Sequence, residues 1–438
     1  METIFFCARN VWDYFSHVED AERLSLPAVD YFSLDVLKHP FIKKFFGSLS
    51  EVYARHNEAL NASIAGDTGI DGLRLDFNFG LRLDVPEGNF RVRIGDADGG
   101  QIFFDEKISG VRLVSVEKYF IRWSVEVFHD DKKIFAHALD LENQPVLVVF
   151  DKGSGLGDKL AFLPYLNELQ KVHRCKVSAL LTPELKEFVA HVYPQVEQVD
   201  AINFDNYATF YPMMTFGDFQ TVPAELRNEP LERIGGAIFG IDSVPLKPTF
   251  KPTAPPVTDA PYVCIAVQSA AARKGWLYPN GWNIVVDYLK RLGFRVFCID
   301  RENFCRDGDI TIAAPEGAED FTGNLSIMHR ANMLHHAKFF VGLSSGLSWL
   351  ANAVNCPVVM ICGFSRDWSE FYTPWRVANR NVCNGCVNDM RVNYFRSRCP
   401  RHENTPREFE CQKKISPRQV LNAIERLIVE RNLLNLGD

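Results

Sequence analysis

The chain has 438 residues, 48 of them basic and 55 acidic, for a formal net charge of −7 and a hydrophobic content of 47%. That apolar share excludes a largely disordered chain, and the length accommodates about two to four domains. The acidic balance argues against broad binding to nucleic acid or to an anionic membrane, which calls for a basic patch.

The opening METIFFCARNVWDYF has neither a basic region nor the apolar core of an export signal, and no run reaches the roughly 20 apolar residues of a membrane span. The sequence therefore predicts a soluble, cytoplasmic protein. In FIKKFFGSLSEVYARHNEAL, the residues Phe41, Phe45, Leu49, Val52 and Tyr53 fall near helical spacing, which predicts a helical extension over 1–68 with a packing role. Over 69–144 the period becomes two. Leu73, Leu75, Phe77, Phe79, Leu81, Leu83 and Val85 alternate with polar residues or glycine, and turn signals stand at 86–89, 96–100 and 129–133. This predicts an antiparallel β-domain, a small sandwich or barrel serving as scaffold or assembly module.

Over 145–244 the pattern changes again. PVLVVFDKG is a continuous apolar run, as expected of a strand buried on both faces of a parallel sheet. DKLAFLPYLNELQKVH then reads as one helix, KVSALL as a strand, and Thr182-Pro183-Glu184 as another helix start, giving a first Rossmann-like domain. Residues 245–261 hold six prolines and predict a stiff linker. A second βα series fills 262–438, and its tail, PRQVLNAIERLIVERNLL, is expected as a helix returning across the joint between the two units. The fold class is α/β, with a cleft between two Rossmann-like domains. Ligands of such sheets bind beyond the carboxyl ends of the strands.

Four segments can carry chemistry. In DKGSGLGDK, Gly153, Gly155 and Gly157 lead from a strand into a helix, where backbone can approach an anion closely. Asp158 there can cap the helix or act as a general base. In VQSAAARKGWLYPNGW, Arg273 and Lys274 follow a strand end and can pair with a diphosphate, framed by Trp276 and Trp282; the bland reading is a solvated basic pair. In VGLSSGLSWLANAV, Ser344, Ser345 and Gly346 open a helix that can present N–H and hydroxyl donors to phosphate, or merely turn the chain. Last, Cys383, Cys386, Cys399 and Cys411 give C-x2-C-x12-C-x11-C. In a chain without an export signal these predict a closed four-sulfur metal site over 383–411, structural in role, and the spacing leaves iron and zinc both open. The remaining seven cysteines are scattered and read as small buried hydrophobes.

Taken together these segments resemble the bacterial autotransporter heptosyltransferases, relatives of the lipopolysaccharide heptosyltransferases of glycosyltransferase family 9. The resemblance runs from about residue 72 onwards through DFNFGLRLDVPEG, GSGLGDKLAFLPYLNE, AVQSAAARKGW, GAEDFTGNL, FFVGLSSGLSWLANAV and CNGC…CPRHENTPREFEC. It implies a glycosyltransferase-B fold, an ADP-heptose donor, serine acceptors on an autotransporter passenger domain, iron held by the four cysteines, and a dodecamer. It also implies that Asp158 is the catalytic aspartate and Lys274 the donor-phosphate lysine. Gly155, Gly157, Gln268, Ser269, Trp276, Trp282, Ser344, Ser345 and Gly346 are then expected around the donor. After Gln268 and Ser269 this chain has Ala270 and Ala271, where the family carries threonine or cysteine. With no Asp-x-Asp motif near either loop, transfer is expected without a divalent cation. The competing functions are a lipopolysaccharide-core heptosyltransferase and a non-catalytic assembly protein built on a metal finger.

Overall fold

The computed structural model describes residues 1–8, 57–150, 155–212, 222–224, 227–245, 247–269, 274–307, 309–392 and 399–433. The helical pattern from Phe41 to Tyr53 lies outside the described residues. At the start of the expected helical extension, the chain is instead a strand, β1 (Glu2–Phe6), parallel to a strand more than a hundred residues onward. Its alternating Ile4 and Phe6 pack on the core, which a helix over TIFF would not allow.

The alternating region forms seven strands: β2 (Arg74–Asn78), β3 (Arg82–Val85), β4 (Phe90–Asp96), β5 (Ile102–Ile108), β6 (Val111–Ser115), β7 (Trp123–His129) and β8 (Lys132–Ala138). They do not close on themselves. β5, β4, β7 and β8 make a four-stranded antiparallel sheet, whereas β6, β3 and β2 join a larger one. Val92, Ile94, Trp123, Val125 and Val127 of the small sheet share one core with Leu75, Leu83 and Val85 of the large one.

The large sheet runs on into the first α/β unit: β9 (Pro145–Phe150), α1 (Leu156–Phe162), α2 (Tyr165–His173), β10 (Lys176–Leu181), α3 (Pro183–Val192), β11 (Glu197–Val199), β12 (Ala208–Phe210) and α4 (Leu231–Phe239). Its order is β1-β6-β3-β2-β12-β9-β10-β11, so residue 145 falls inside one continuous sheet. The single helix expected after β9 is two, α1 and α2, broken at Leu163-Pro164. Proline inside a helix lacks the N–H and crowds the preceding turn, so the chain bends there.

The second unit comprises β13 (Tyr262–Ile265), α5 (Gly281–Arg291), β14 (Arg295–Cys298), a hairpin of β15 (Phe304–Asp307) and β16 (Ile310–Ala313), β17 (Glu319–Asp320), α6 (Ile327–His336), β18 (Phe340–Leu343), α7 (Gly346–Ala353), β19 (Val358–Ile361), β20 (Arg376–Val377), α8 (Glu410–Lys413) and α9 (Pro417–Glu430). Its parallel sheet has the order β17-β14-β13-β18-β19-β20. The tail helix α9 starts at a Ser416/Gln419 capping box and packs on α5, β19 and β20. Val420, Ile424 and Leu427 thus seal the second unit's own core instead of crossing the joint. The proline-rich segment bridges both units: Phe250 stacks on Phe188 of α3 at 6.2 Å, and the Thr253 N–H donates to Asn332 Oδ1 at 2.8 Å. No helix among the described residues is long and apolar enough to cross a membrane.

Candidate active site

Two strand-to-helix turns, one from each unit, meet where α1 packs on α7. A Cβ built on Gly157 would lie 2.9 Å from Trp349 Cδ1, and one built on Gly346 would lie 2.8 Å from Leu156 Cβ. Glycine is required at both positions by this close approach, whatever else the turns do. Residues 151–154, including Gly153, lie outside the described residues.

Asp158 stands in the first turn of α1, where its Oδ2 accepts the Gly155 N–H at 3.1 Å. Its capping role is therefore real. Burial pushes its carboxyl above the ordinary value, opposed first by the charge of Lys274 and then by the Gly155 N–H and Lys159. The aspartate of one unit and the lysine of the other are thus electrostatic neighbours. Lys159 itself is buried, with Nζ 3.3 Å from Thr182 Oγ1 and 3.5 Å from Glu184.

Lys274 Nζ lies 5.3 Å from the centroid of the Phe364 ring, a cation–π placement at the end of β19. Arg273, with Ala270 and Ala271, is outside the described residues. On the near side of that gap the Gln268 N–H donates to Asp300 Oδ1 at 3.1 Å, and its side-chain Nε2 donates to the Glu302 carbonyl at 2.7 Å. Ser269, half-buried, follows directly. The Val267 N–H donates to Asp300 Oδ2 at 2.7 Å, so one buried carboxylate fixes the end of this strand. Burial raises Asp300 to about 6 against those two bonds. The tryptophans stand further back. Trp276 and Trp282 meet edge-on at 5.2 Å in the second unit's core, with Trp276 Nε1 donating to the Ile415 carbonyl.

At the start of α7 the two serines behave differently. The Ser344 hydroxyl donates inward to Glu370 Oε1 at 2.6 Å. The Ser345 hydroxyl is shielded from solvent yet has no hydrogen-bond partner among the described residues, and no side chain caps the helix. Buried hydroxyls are rarely left so.

The cysteine segment wraps against the same strand ends. Cys386, Cys399 and Cys411 are buried and Cys383 is half-buried. Burial raises the Cys411 thiol strongly, and the next contributions come from Cys386, Cys383 and Cys399, so the four sulfurs are neighbours. Arg401 Nη1 donates to Cys383 Sγ at 3.3 Å and the Phe409 N–H to Cys399 Sγ at 3.4 Å. Such donors stabilise thiolates, and a donor set of sulfurs ringed by N–H groups fits a thiophilic metal ion. Among the described residues the three ligand atoms that all lie within 4.8 Å of one another belong to Cys383, His402 and Glu410, and no three of the four sulfurs approach that closely. Residues 393–398 lie outside the described residues.

The sequence reading missed Asp300, Glu370, His402, Glu410 and one further residue, Arg227. This buried guanidinium of the first unit donates to the carbonyls of Val387 (2.6 Å), Cys386 (3.3 Å), Val392 (2.9 Å) and Asp389, docking the cysteine segment onto the opposite unit. His402, three residues beyond Cys399, and Glu410, next to Cys411, stand inside the cysteine motif, and that spacing is the signal for them; the others are isolated charges with no motif around them.

Comparison with known proteins places this geometry. Residues 69–131 match the family signature described as glycosyltransferase TibC, N-terminal domain, and residues 239–395 match glycosyltransferase family 9 (heptosyltransferase). The chain is 41% identical to the autotransporter heptosyltransferase BAHTCr of Citrobacter rodentium, over 84% of this chain and 92% of that one. It is 40% identical to the autotransporter heptosyltransferase TibC of Escherichia coli, again over 84% and 92%. A crystal structure of TibC, described as a dodecameric iron-containing heptosyltransferase in complex with ADP-D-β-D-heptose, superposes with a TM-score of 0.80, covering 84% of this chain and 99% of that one at 38% identity. A further relative at 32% identity, BimC of Burkholderia thailandensis, is described as an inactive autotransporter heptosyltransferase; it spans 82% of this chain and 87% of its own length. With an α/β glycosyltransferase fold and identity of this extent, the chain belongs to the autotransporter heptosyltransferase family, related to glycosyltransferase family 9.

Proposed function

We propose that the chain is a protein O-heptosyltransferase, moving heptose from ADP-heptose to serine hydroxyls of an autotransporter passenger domain with inversion at the anomeric carbon. The observation that carries this reading is the meeting of two glycine-dependent helix starts, one from each unit, with Asp158 on the first and within the electrostatic reach of Lys274. A serine hydroxyl is a weak nucleophile near neutral pH and needs a base. Burial makes Asp158 a stronger base than an ordinary carboxylate. It takes the hydroxyl proton as the serine oxygen bonds to the anomeric carbon, and the bond to the diphosphate breaks with its electron pair leaving on ADP. Lys274, the Ser345 hydroxyl and the N–H groups opening α7, at Gly346, stabilise that charge. Gly155 and Gly157 let the acceptor approach, Gln268 and Ser269 border the donor, Ser344 orients its turn, and Trp276 and Trp282 brace the donor loop from behind. The two α/β units then form a glycosyltransferase-B pair, working in the cytoplasm without a divalent cation.

Cys383, Cys386, Cys399 and Cys411 would hold an iron ion, with zinc as the alternative. A closed four-sulfur site has no open position, so the ion would supply a cross-link and no reaction step. Purified protein is then expected to carry about one metal ion per chain, and Cys411→Ser to lose both metal and thermal stability, since metal binding becomes folding free energy. Assembly into a dodecamer, as described for TibC, is part of the same reading and is checked by native mass.

The match of 69–131 to the TibC N-terminal signature supports a protein acceptor over a lipopolysaccharide core. The inactive relative makes a non-catalytic role the reading to exclude, and the presence of both Asp158 and Lys274 is what supports activity here. The deciding experiment is the intact mass of an autotransporter passenger domain co-expressed with and without this chain. Steps of one heptose unit are expected; an unmodified passenger would sink the proposal.

A further inference from the structure

β18 and β19 run parallel with Leu343 opposite Ile361, so the turns that follow them lie side by side. One is Ser344–Ser345–Gly346, the other Gly363–Phe364–Ser365. A single buried carboxylate joins them. Glu370 Oε1 accepts the Ser344 hydroxyl at 2.6 Å and the Ser365 hydroxyl at 2.7 Å. Oε2 accepts from Arg376 Nη1 at 2.7 Å, and both side chains are only 7% exposed. Arg376 Nη2 also reaches the Ser365 hydroxyl at 2.9 Å.

A carboxylate buried beneath an anion site repels the ligand and loses its own hydration. Arg376 offsets the charge, and the two serines with Arg376 replace the water. What the network then contributes is geometry. It turns Ser344 inward, which leaves Ser345 in extended backbone (φ −145°, ψ 170°) at the start of α7 with its hydroxyl unpartnered. On the other turn it fixes Ser365, next to the Phe364 ring that carries Lys274. We infer that Glu370 is a positioning residue for the donor diphosphate, tying the Ser345 turn and the Phe364–Lys274 shelf into one rigid wall. This rests on the donor reading above.

The test is ADP binding by calorimetry, with donor KM and kcat, for Glu370→Gln and Ser344→Ala. Glutamine keeps the shape and one acceptor oxygen but removes the buried counter-charge of Arg376, leaving it the half-exposed Asp367 at 3.4 Å. Ser344→Ala removes one strut and strands no charge, so it decides the matter if Glu370→Gln does not fold. Both are expected to raise the ADP dissociation constant and the donor KM by about tenfold, the scale of one charge-assisted hydrogen bond, with kcat changed by less than about twofold. A folded Ser344→Ala with unchanged ADP affinity, or with a lower melting temperature alone, overturns the assignment and leaves the network merely structural. A wild-type chain that binds no ADP overturns the donor reading itself, which is a different result from tight wild-type binding that ignores both variants.

Discussion

The two turns at the cleft share a design, strand into small residues into helix, yet they finish the helix in opposite ways. α1 carries its own acid: Asp158 in the first turn accepts the Gly155 N–H. α7 has no acid in its first turn and no side-chain cap. The partial positive charge of a helix start is therefore already answered at α1 and still unanswered at α7. In the proposed mechanism this separates two jobs, the base at the start whose charge is satisfied from within and the leaving anion at the start that lacks a partner. The carboxylate that does lie near α7, Glu370, sits behind the turn and against Arg376, out of the anion's way.

The strongest way to break this division is at Asp158. Asp158→Asn keeps an oxygen for the Gly155 N–H and removes only the base, so donor binding is expected to persist while glycosylation slows at least about a hundredfold. The wild-type pH profile sharpens the point. Because burial raises this carboxyl, activity is expected to fall on acidification at a pH above the ordinary carboxylate range of about 4, as the protonated acid can no longer accept the serine proton. The acid limb is expected to flatten in Asp158→Asn, and near-normal turnover would refute the assignment. Next in size is Lys274→Ala, expected to weaken ADP-heptose binding by about 1.5–3 kcal/mol in calorimetry. It also removes the charge that holds Asp158 down, so the acid limb of residual activity should move further up in pH. The smallest effect belongs to Ser345→Ala, about 0.5–1.5 kcal/mol in the same measurement, the usual net worth of a neutral hydrogen bond. If Ser345→Ala binds ADP as tightly as wild type, the uncapped start of α7 is not the anion site.

Much of this was legible in the sequence because the turns advertise themselves. A buried strand running into GSGLGDK or GLSSG leaves few alternatives to a strand–turn–helix, and four cysteines within 29 residues stand out among the eleven. What stayed hidden is held together by long-range contact. Asp300 meets Gln268 32 residues away in sequence, Glu370 meets Ser344 26 away, and Arg227 meets Val387 160 away. Lone charges carry no periodicity, so nothing local marks them. The alternating strands illustrate the other limit: alternation predicts one buried face for β2 and β3, whereas Asp76, Asn78 and Arg82 on the polar face are buried too, and it does not show that β2 pairs with β12 beyond the expected domain boundary. Pro164 was visible in the sequence, and its break of the expected helix follows from its missing donor and its ring's crowding of the preceding turn.

That pairing of β2 with β12, together with β1 beside β6, has a consequence for biosynthesis. The eight-stranded sheet draws on residues as far apart as Glu2 and Phe210, so none of its three outermost joints on the amino-terminal side can anchor to the parallel core before synthesis has passed Phe210. The second unit's sheet lies wholly within Tyr262–Val377. Non-local pairing is slow because loop closure is paid for before contacts reward it. β1 can pair with β6 once Ser115 has been made, so the strand of the nascent chain that waits is β2, with one edge unpaired and open to non-native pairing until β12 emerges.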